Sequence, residues 1–239
     1  MIARIIWVAA LLGIAIVSTA VHLDREARRT ASLALYVPEI FRSGAQPRIT
    51  ALAIDSGIPE IGVAQAQKLV RRRPLPARHL RLLAQAQFAA GNNEASALAI
   101  QYAAQRGWRD ALAQEAMMQI ALAAGNRPEA ARRYAALFLM RGTERALLEE
   151  TGDAVFPEPG GEERMVFAQI VSGGERWHNA FLTRGARVMP PDAFVEIIEI
   201  SAKDGTQFRC AALRQAQKAI EGEDQTLGKR LSSVLQSQC

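Results

Sequence analysis

From Ile5 to Leu23 the chain runs 19 residues without a formal charge: Ile-Ile-Trp-Val-Ala-Ala-Leu-Leu-Gly-Ile-Ala-Ile-Val-Ser-Thr-Ala-Val-His-Leu. As a helix this run reaches about 28 Å, close to the thickness of a hydrocarbon core. A buried core helix at the start of a chain would keep a polar face, and this run has none. Two readings stay open. Ser18-Thr19-Ala20 resembles a small-x-small signal cleavage site behind a short basic start. An uncleaved anchor is favoured by the apolar Val21 and Leu23 beyond that site, and by the arginine-rich helical pattern Asp24 to Arg29 that follows without a break. Arg4 and the amino terminus should stay inside, although Arg25, Arg28 and Arg29 just past the run weaken the asymmetry. The expectation is a single-pass inner-membrane protein with its C-terminal domain in the periplasm, or a periplasmic protein secreted after cleavage.

Beyond residue 45 the apolar positions take a helical period, punctuated by glycine. Leu82-Leu83-Ala-Gln-Ala-Gln-Phe88-Ala-Ala-Gly91-Asn92 returns as Ala116-Met117-Met-Gln-Ile-Ala-Leu122-Ala-Ala-Gly125-Asn126, with the Gly-Asn pairs 34 residues apart. Another 34 residues back stands Gly57, after Asp55-Ser56. Each glycine closes one helical pattern and precedes the next, as a left-handed helix end requires. Alanine fills 19 of the 53 positions from 84 to 136, which favours closely packed helices over sheet.

A helix–turn–helix unit with this period resembles the tetratricopeptide repeat. The resemblance extends to the family's large and small positions. Leu83-Ala84 supplies the bulky and small residues before the turn glycine, and Met117-Met118 supplies only the first. Ser96 and Ala130 supply the small residue five after it, Ile100 and Tyr134 the large one nine after, and Pro74 closes a unit. A generic alanine-rich array of helical hairpins would have much the same shape. Past residue 142 the motif fades, but turn signals continue at Pro157–Gly161, Met189-Pro190-Pro191 and Gly222–Asp224. They predict helix pairs 143–155 with 161–172, 175–187 with 191–203, and 206–221 with 224–238. Atypical terminal repeats and a separate small helical domain both fit this stretch.

The expected fold is therefore all-α: an N-terminal transmembrane helix, then a tetratricopeptide-like α-solenoid of antiparallel helix pairs. Its parts are an anchor or signal peptide (1–23), a helical neck (24–44), the repeats (45–142), and degenerate pairs with a C-terminal cap (143–239). Mean hydropathy of −0.01 excludes a multi-span protein. The net charge of +5 is carried almost wholly by arginine, since only Lys68, Lys203, Lys218 and Lys229 are lysines. One dense cluster stands out, Arg71-Arg72-Arg73 with Arg78 and Arg81. It reads as cations at a helix end, or as a basic rim for anionic lipid or acidic peptide. An exported chain has no nucleic-acid partner.

Cys210 and Cys239 fall at the same end of the last predicted hairpin, where a disulfide would join them in an oxidising compartment. Two unrelated thiols are the alternative. Of the three histidines, His22, His79 and His178, none pairs with another His or Cys at metal-ligand spacing. Glu175 and His178 are three apart on one predicted helix, a spacing more typical of a surface pair. No Walker loop, dinucleotide fingerprint, GxSxG or HExxH occurs. The expectation is a non-catalytic protein without cofactor or metal. The tetratricopeptide resemblance implies a concave groove that binds a protein or peptide segment. By spacing from the turn glycines its residues would be Arg78, Arg81, Gln85 and Phe88, then Glu115, Gln119 and Leu122. Such a groove implies a scaffold of the cell envelope; alternatives are a regulatory subunit of an envelope enzyme or export machine, and a cytoplasm-facing adaptor.

Overall fold

The first helix, α1 (Ile2–Glu26), is 25 residues long and exposes its apolar side chains along almost its whole length. It is long and apolar enough to cross a membrane. In the computed structural model, which describes residues 1–239, twelve further helices follow and no strand occurs. Thus α1 precedes packed helical hairpins of the α-solenoid class. Chain contacts divide the protein into two units, Met1–Gly107 and Trp108–Cys239.

The N-terminal unit holds α1, two 3-10 turns (Ala31–Tyr36 and Glu39–Phe41), and α2 (Gln46–Asp55), α3 (Pro59–Arg72), α4 (Ala77–Ala89) and α5 (Asn93–Arg106). Over residues 24–44, Asp24–Glu26 close α1 and the two 3-10 turns follow. Here chain neighbours pack on each other: α2 on α3, α3 on α4, α4 on α5. Alanine makes this possible. The interior is mostly Ala66, Ala84, Ala86, Ala99, Ala103 and Ala104, with Leu69, Leu80, Leu82 and Ile100 between them. At the α4–α5 crossing the Ser96 hydroxyl donates to the Ala84 carbonyl at 2.9 Å, a contact that only small side chains allow.

The turn glycines adopt the backbone that their spacing predicts. Gly57, Gly91 and Gly125 have φ of 73°, 74° and 69°. At Gly91 the amides of Gly91 and Asn92 donate to Phe88 and Gln87; at Gly125 those of Gly125 and Asn126 donate to Leu122 and Ala121. These are two copies of one Schellman turn. The asparagines then diverge. Asn126 caps the next helix through the Glu129 amide at 3.1 Å, whereas the Asn92 side chain bonds Gln87 instead.

The C-terminal unit holds α6 (Ala111–Ala123), α7 (Arg127–Leu139), α8 (Arg145–Val155), α9 (Glu162–Ser172), α10 (His178–Val188), α11 (Pro191–Lys203), α12 (Cys210–Glu223) and α13 (Gln225–Gln238). Six of the eight phenylalanines lie here, and all six are buried. Tyr134 sits among them with its ring centroid 5.3 Å from Phe156 and 6.1 Å from Phe167, and its hydroxyl donates to the Leu148 carbonyl at 3.1 Å. Burial holds its pKa well above the ordinary tyrosine value.

Packing in this unit departs from the predicted pairs. α6 with α7 and α12 with α13 are hairpins, but α9 packs on α7 and α11 rather than on α8, and α8 packs on α7 and α10. The helices thus form two rows, α7–α9–α11–α13 and α8–α10–α12. Three features account for it. Bulky aromatics fill the space where alanines would let chain neighbours meet. A methyl on Gly152 would stand 2.9 Å from Pro190, so the small residue of α8 serves the α10–α11 turn. Arg164 of α9, 1% exposed, donates to Glu196 at 2.6 Å and Asp192 at 2.7 Å on α11, and to the Phe156 carbonyl at 2.7 Å. The second oxygen of Glu196 accepts from the Gly160 amide at 2.7 Å, which fixes the proline-rich loop to the same carboxylate.

The last hairpin is clasped as its cysteine positions predict. The Cys210 and Cys239 sulfurs are 2.17 Å apart and their Cα atoms 5.9 Å apart. Gln238 reinforces the join, accepting from the Phe208 amide and donating to the Thr206 carbonyl.

Candidate functional site

On α4 the inward positions are His79, Leu80, Leu82, Ala84 and Ala86. The spacing of the remainder leaves Arg78, Arg81, Gln85 and Phe88 along a shared helix face. Arg78 and Gln85 are exposed and Phe88 is 70% exposed, while Arg81 is half-buried and donates to Gln85 at 3.4 Å. These four predicted residues are therefore aligned. His79, beside them, is buried with Nδ1 donating to the Arg73 carbonyl at 2.8 Å. Burial first, then the Arg73 and Arg78 charges, hold its pKa below the ordinary histidine value.

The other three predicted residues belong to α6 of the C-terminal unit. Gln119 is exposed, whereas Leu122 is half-buried against the aromatic core and serves packing. Glu115 lines a groove of about 400 Å³ together with Leu112, Glu144, Leu147 and Glu150. This surface is acidic, whereas that of α4 is basic. A separate groove of about 530 Å³ in the N-terminal unit is lined by Pro59, Glu60, Val63, Gln67, Ala89 and Asn92, none of them among the seven.

A third site lies where α1 enters the N-terminal unit. Asp24, buried in the last turn of α1, accepts from the amides of Ser43 (3.0 Å), Gly44 (2.7 Å) and Ala45 (2.9 Å). A carboxylate collecting three amides just before α2 satisfies donors that a helix start leaves open. Around this joint Ala27, Ala34, Val37 and Ala45 form a small core, and Arg48 donates to the Arg28 carbonyl at 2.8 Å. Arg28, Arg48, Arg73 and Arg78 line a pocket of about 190 Å³ against Ser43 and Gly44. Only Arg73 and Arg78 belong to the cluster that the sequence singles out. Arg28 belongs to the arginine-rich stretch after the apolar run and Arg48 stands alone in sequence; the Asp24 bonds that bring them near have no local signature.

The remaining candidates are structural. His178 is buried, not on the surface, and its Nε2 donates to the Val171 carbonyl at 3.1 Å, so the expected surface pair with Glu175 does not form. Arg72 ends α3 as expected and donates to the Arg42 carbonyl at 3.0 Å. No group of three His, Cys, Asp or Glu side chains is placed to hold a metal ion. Compared with family models, with curated proteins and with solved structures, the chain finds no match. The tetratricopeptide resemblance accordingly rests on this chain's own turns and small residues.

Proposed function

We propose that the protein is a membrane-tethered, non-catalytic scaffold of the cell envelope, with α1 as an uncleaved anchor and the helical units on the periplasmic side. The observation that carries this reading is the α4 face: Arg81 and Gln85 lead to an exposed Phe88, in a unit whose alanine core leaves other large apolar side chains outside. Leu52, Ile58, Leu98 and Tyr102 are each 47% to 53% exposed there. An aromatic anchor with a polar approach suits capture of a protein segment with an acidic end. The cysteine clasp supports an oxidising compartment, and the helix running unbroken through Ser18–Ala20 supports retention of the anchor.

The test is site-specific photocrosslinking in intact membranes, with the crosslinker at Phe88 and, as control, at exposed Lys229. Discrete protein adducts at position 88 and none at 229 are expected, and the R81E variant should lose them. Equal adducts at both positions, or none, would sink the reading.

A further inference from the structure

The pocket at the foot of α1 collects four cations that nothing in the protein neutralises. None of Arg28, Arg48, Arg73 and Arg78 forms an ion pair, although the arginines around them at 29 and 72 do. No carboxylate lines the pocket, and Asp24, which holds its Ser43–Gly44 wall, is occupied by the amides of Ser43, Gly44 and Ala45. Arg78 also stands in the first turn of α4, a helix whose N-terminus has no side-chain cap. A cation there opposes the helix dipole, and both favour an anion in front of them.

Size and position narrow the ligand. At about 190 Å³ the pocket is smaller than the roughly 300 Å³ at which drug-sized sites begin. It admits a phosphate-sized anion and leaves any larger attached group outside. Arg28 lies two residues beyond the end of α1, five beyond Leu23, the last residue of the uncharged run. That distance is about a helical turn, which sets the pocket at the depth of lipid headgroups.

We propose that Arg28, Arg48, Arg73 and Arg78 hold the phosphate of one anionic phospholipid from the leaflet through which α1 emerges. This rests on α1 being a retained anchor. It accounts for the arginines that sit on the far side of the apolar run, against the usual bias of basic residues. The Gly44 backbone forms the wall. A methyl there would stand 2.7 Å from both the Asp24 carbonyl oxygen and Arg28 Cγ, so the close approach of loop and arginine requires glycine.

The experiment uses the full chain in non-ionic detergent, titrated with phosphatidylglycerol or phosphatidylcholine of identical acyl chains and read by native mass spectrometry. One phosphatidylglycerol should be retained at least tenfold more tightly than phosphatidylcholine. The R73Q/R78Q double variant should lose about thirtyfold of that affinity, on the scale that each basic residue contributes at an anionic surface. Both side chains are exposed, so thermal unfolding should stay unchanged. The charge-matched R141Q/R214Q variant should behave as wild type. Equal retention of the two lipids, or equal losses in the two variants, overturns the pocket. Displacement of the lipid by inorganic phosphate below 1 mM (about the scale of a specific anion site) assigns a free phosphate instead. Displacement by an Asp/Glu octapeptide assigns an acidic protein segment; either result overturns the lipid. The intact mass of the chain purified from membranes reports α1 separately. A mass lacking residues 1–20 sinks the anchor, whereas lost selectivity with α1 present sinks the pocket alone.

Discussion

Outside α1, the two units are built from helices of similar length by different means. In Met1–Gly107 alanines and Ser96 let chain neighbours lie close, so each helix packs on the one before it. In Trp108–Cys239 six phenylalanines and Tyr134 occupy the same kind of space, and helices skip a neighbour to find partners. The thin interior of the first unit leaves Phe88, Leu98 and Tyr102 outside. The second buries its aromatics, ties α9 to α11 through Arg164 and closes with a disulfide. The difference teaches that side-chain volume at the crossing points, rather than helix length or turn position, selects which helices pair.

The sharpest way to break the contrast is R164A. It leaves the largely buried Glu196 without its partner beside a void, whereas the half-exposed Asp192 stays solvated, and should cost about 3 to 5 kcal/mol. Urea unfolding checks this by tryptophan fluorescence, which outside the anchor comes only from Trp108 and Trp177 of the C-terminal unit. A loss below 1 kcal/mol would show that the aromatics alone set the pairing. Next is the C210S/C239S variant. Opening a loop between cysteines 29 apart should lower the stability of the same unit by about 3 to 4 kcal/mol. Hydrogen exchange in the α4–α5 hairpin should not change.

Smaller effects probe what the units share. G91A and G125A each force a side chain into the left-handed region and should each cost about 1 to 2 kcal/mol. Because their turns are wired alike, the two losses should agree; a large disparity would mean that the surrounding units, not the turns, govern the repeat. The smallest effect is a pH dependence confined to the first unit. The pKa of His79 is lowered in the folded chain, so the unfolded chain takes up the proton first. Above about pH 6.5 the group contributes nothing; as pH falls below that value, stability should fall until folded His79 also titrates. H79Q should flatten this slope, measured as exchange protection in α4 at pH 5 against pH 7.5.

How much was legible in the sequence follows from the range of the forces involved. The turns at Gly57, Gly91 and Gly125 could be read because a left-handed backbone needs glycine at that residue. The helix limits after residue 142 could be read from prolines and Asp224, which act within one turn. The cysteine clasp followed from two positions on one hairpin. The skipped pairing of α9 could not be read, because it depends on Phe156, Phe167 and Arg164 meeting residues from three other helices. Burial of His178 was missed for a similar reason, since its partner Val171 belongs to the preceding helix. Of the seven groove candidates, helical spacing aligned the four on α4. It gave no sign that Glu115 faces an acidic groove or that Leu122 is committed to the core.

The grip of Asp24 on the Ser43–Ala45 loop has a mechanical consequence. A flexible tether lets a domain sweep a volume set by the tether's length, and its encounters dilute accordingly. Here three amides and a small alanine core remove that slack, so a membrane-held N-terminal unit turns with its anchor like a peg in a board. The α4 face would then patrol a thin layer at constant height above the lipid. With α1 retained as proposed, a partner held in the same membrane would be found by a two-dimensional search.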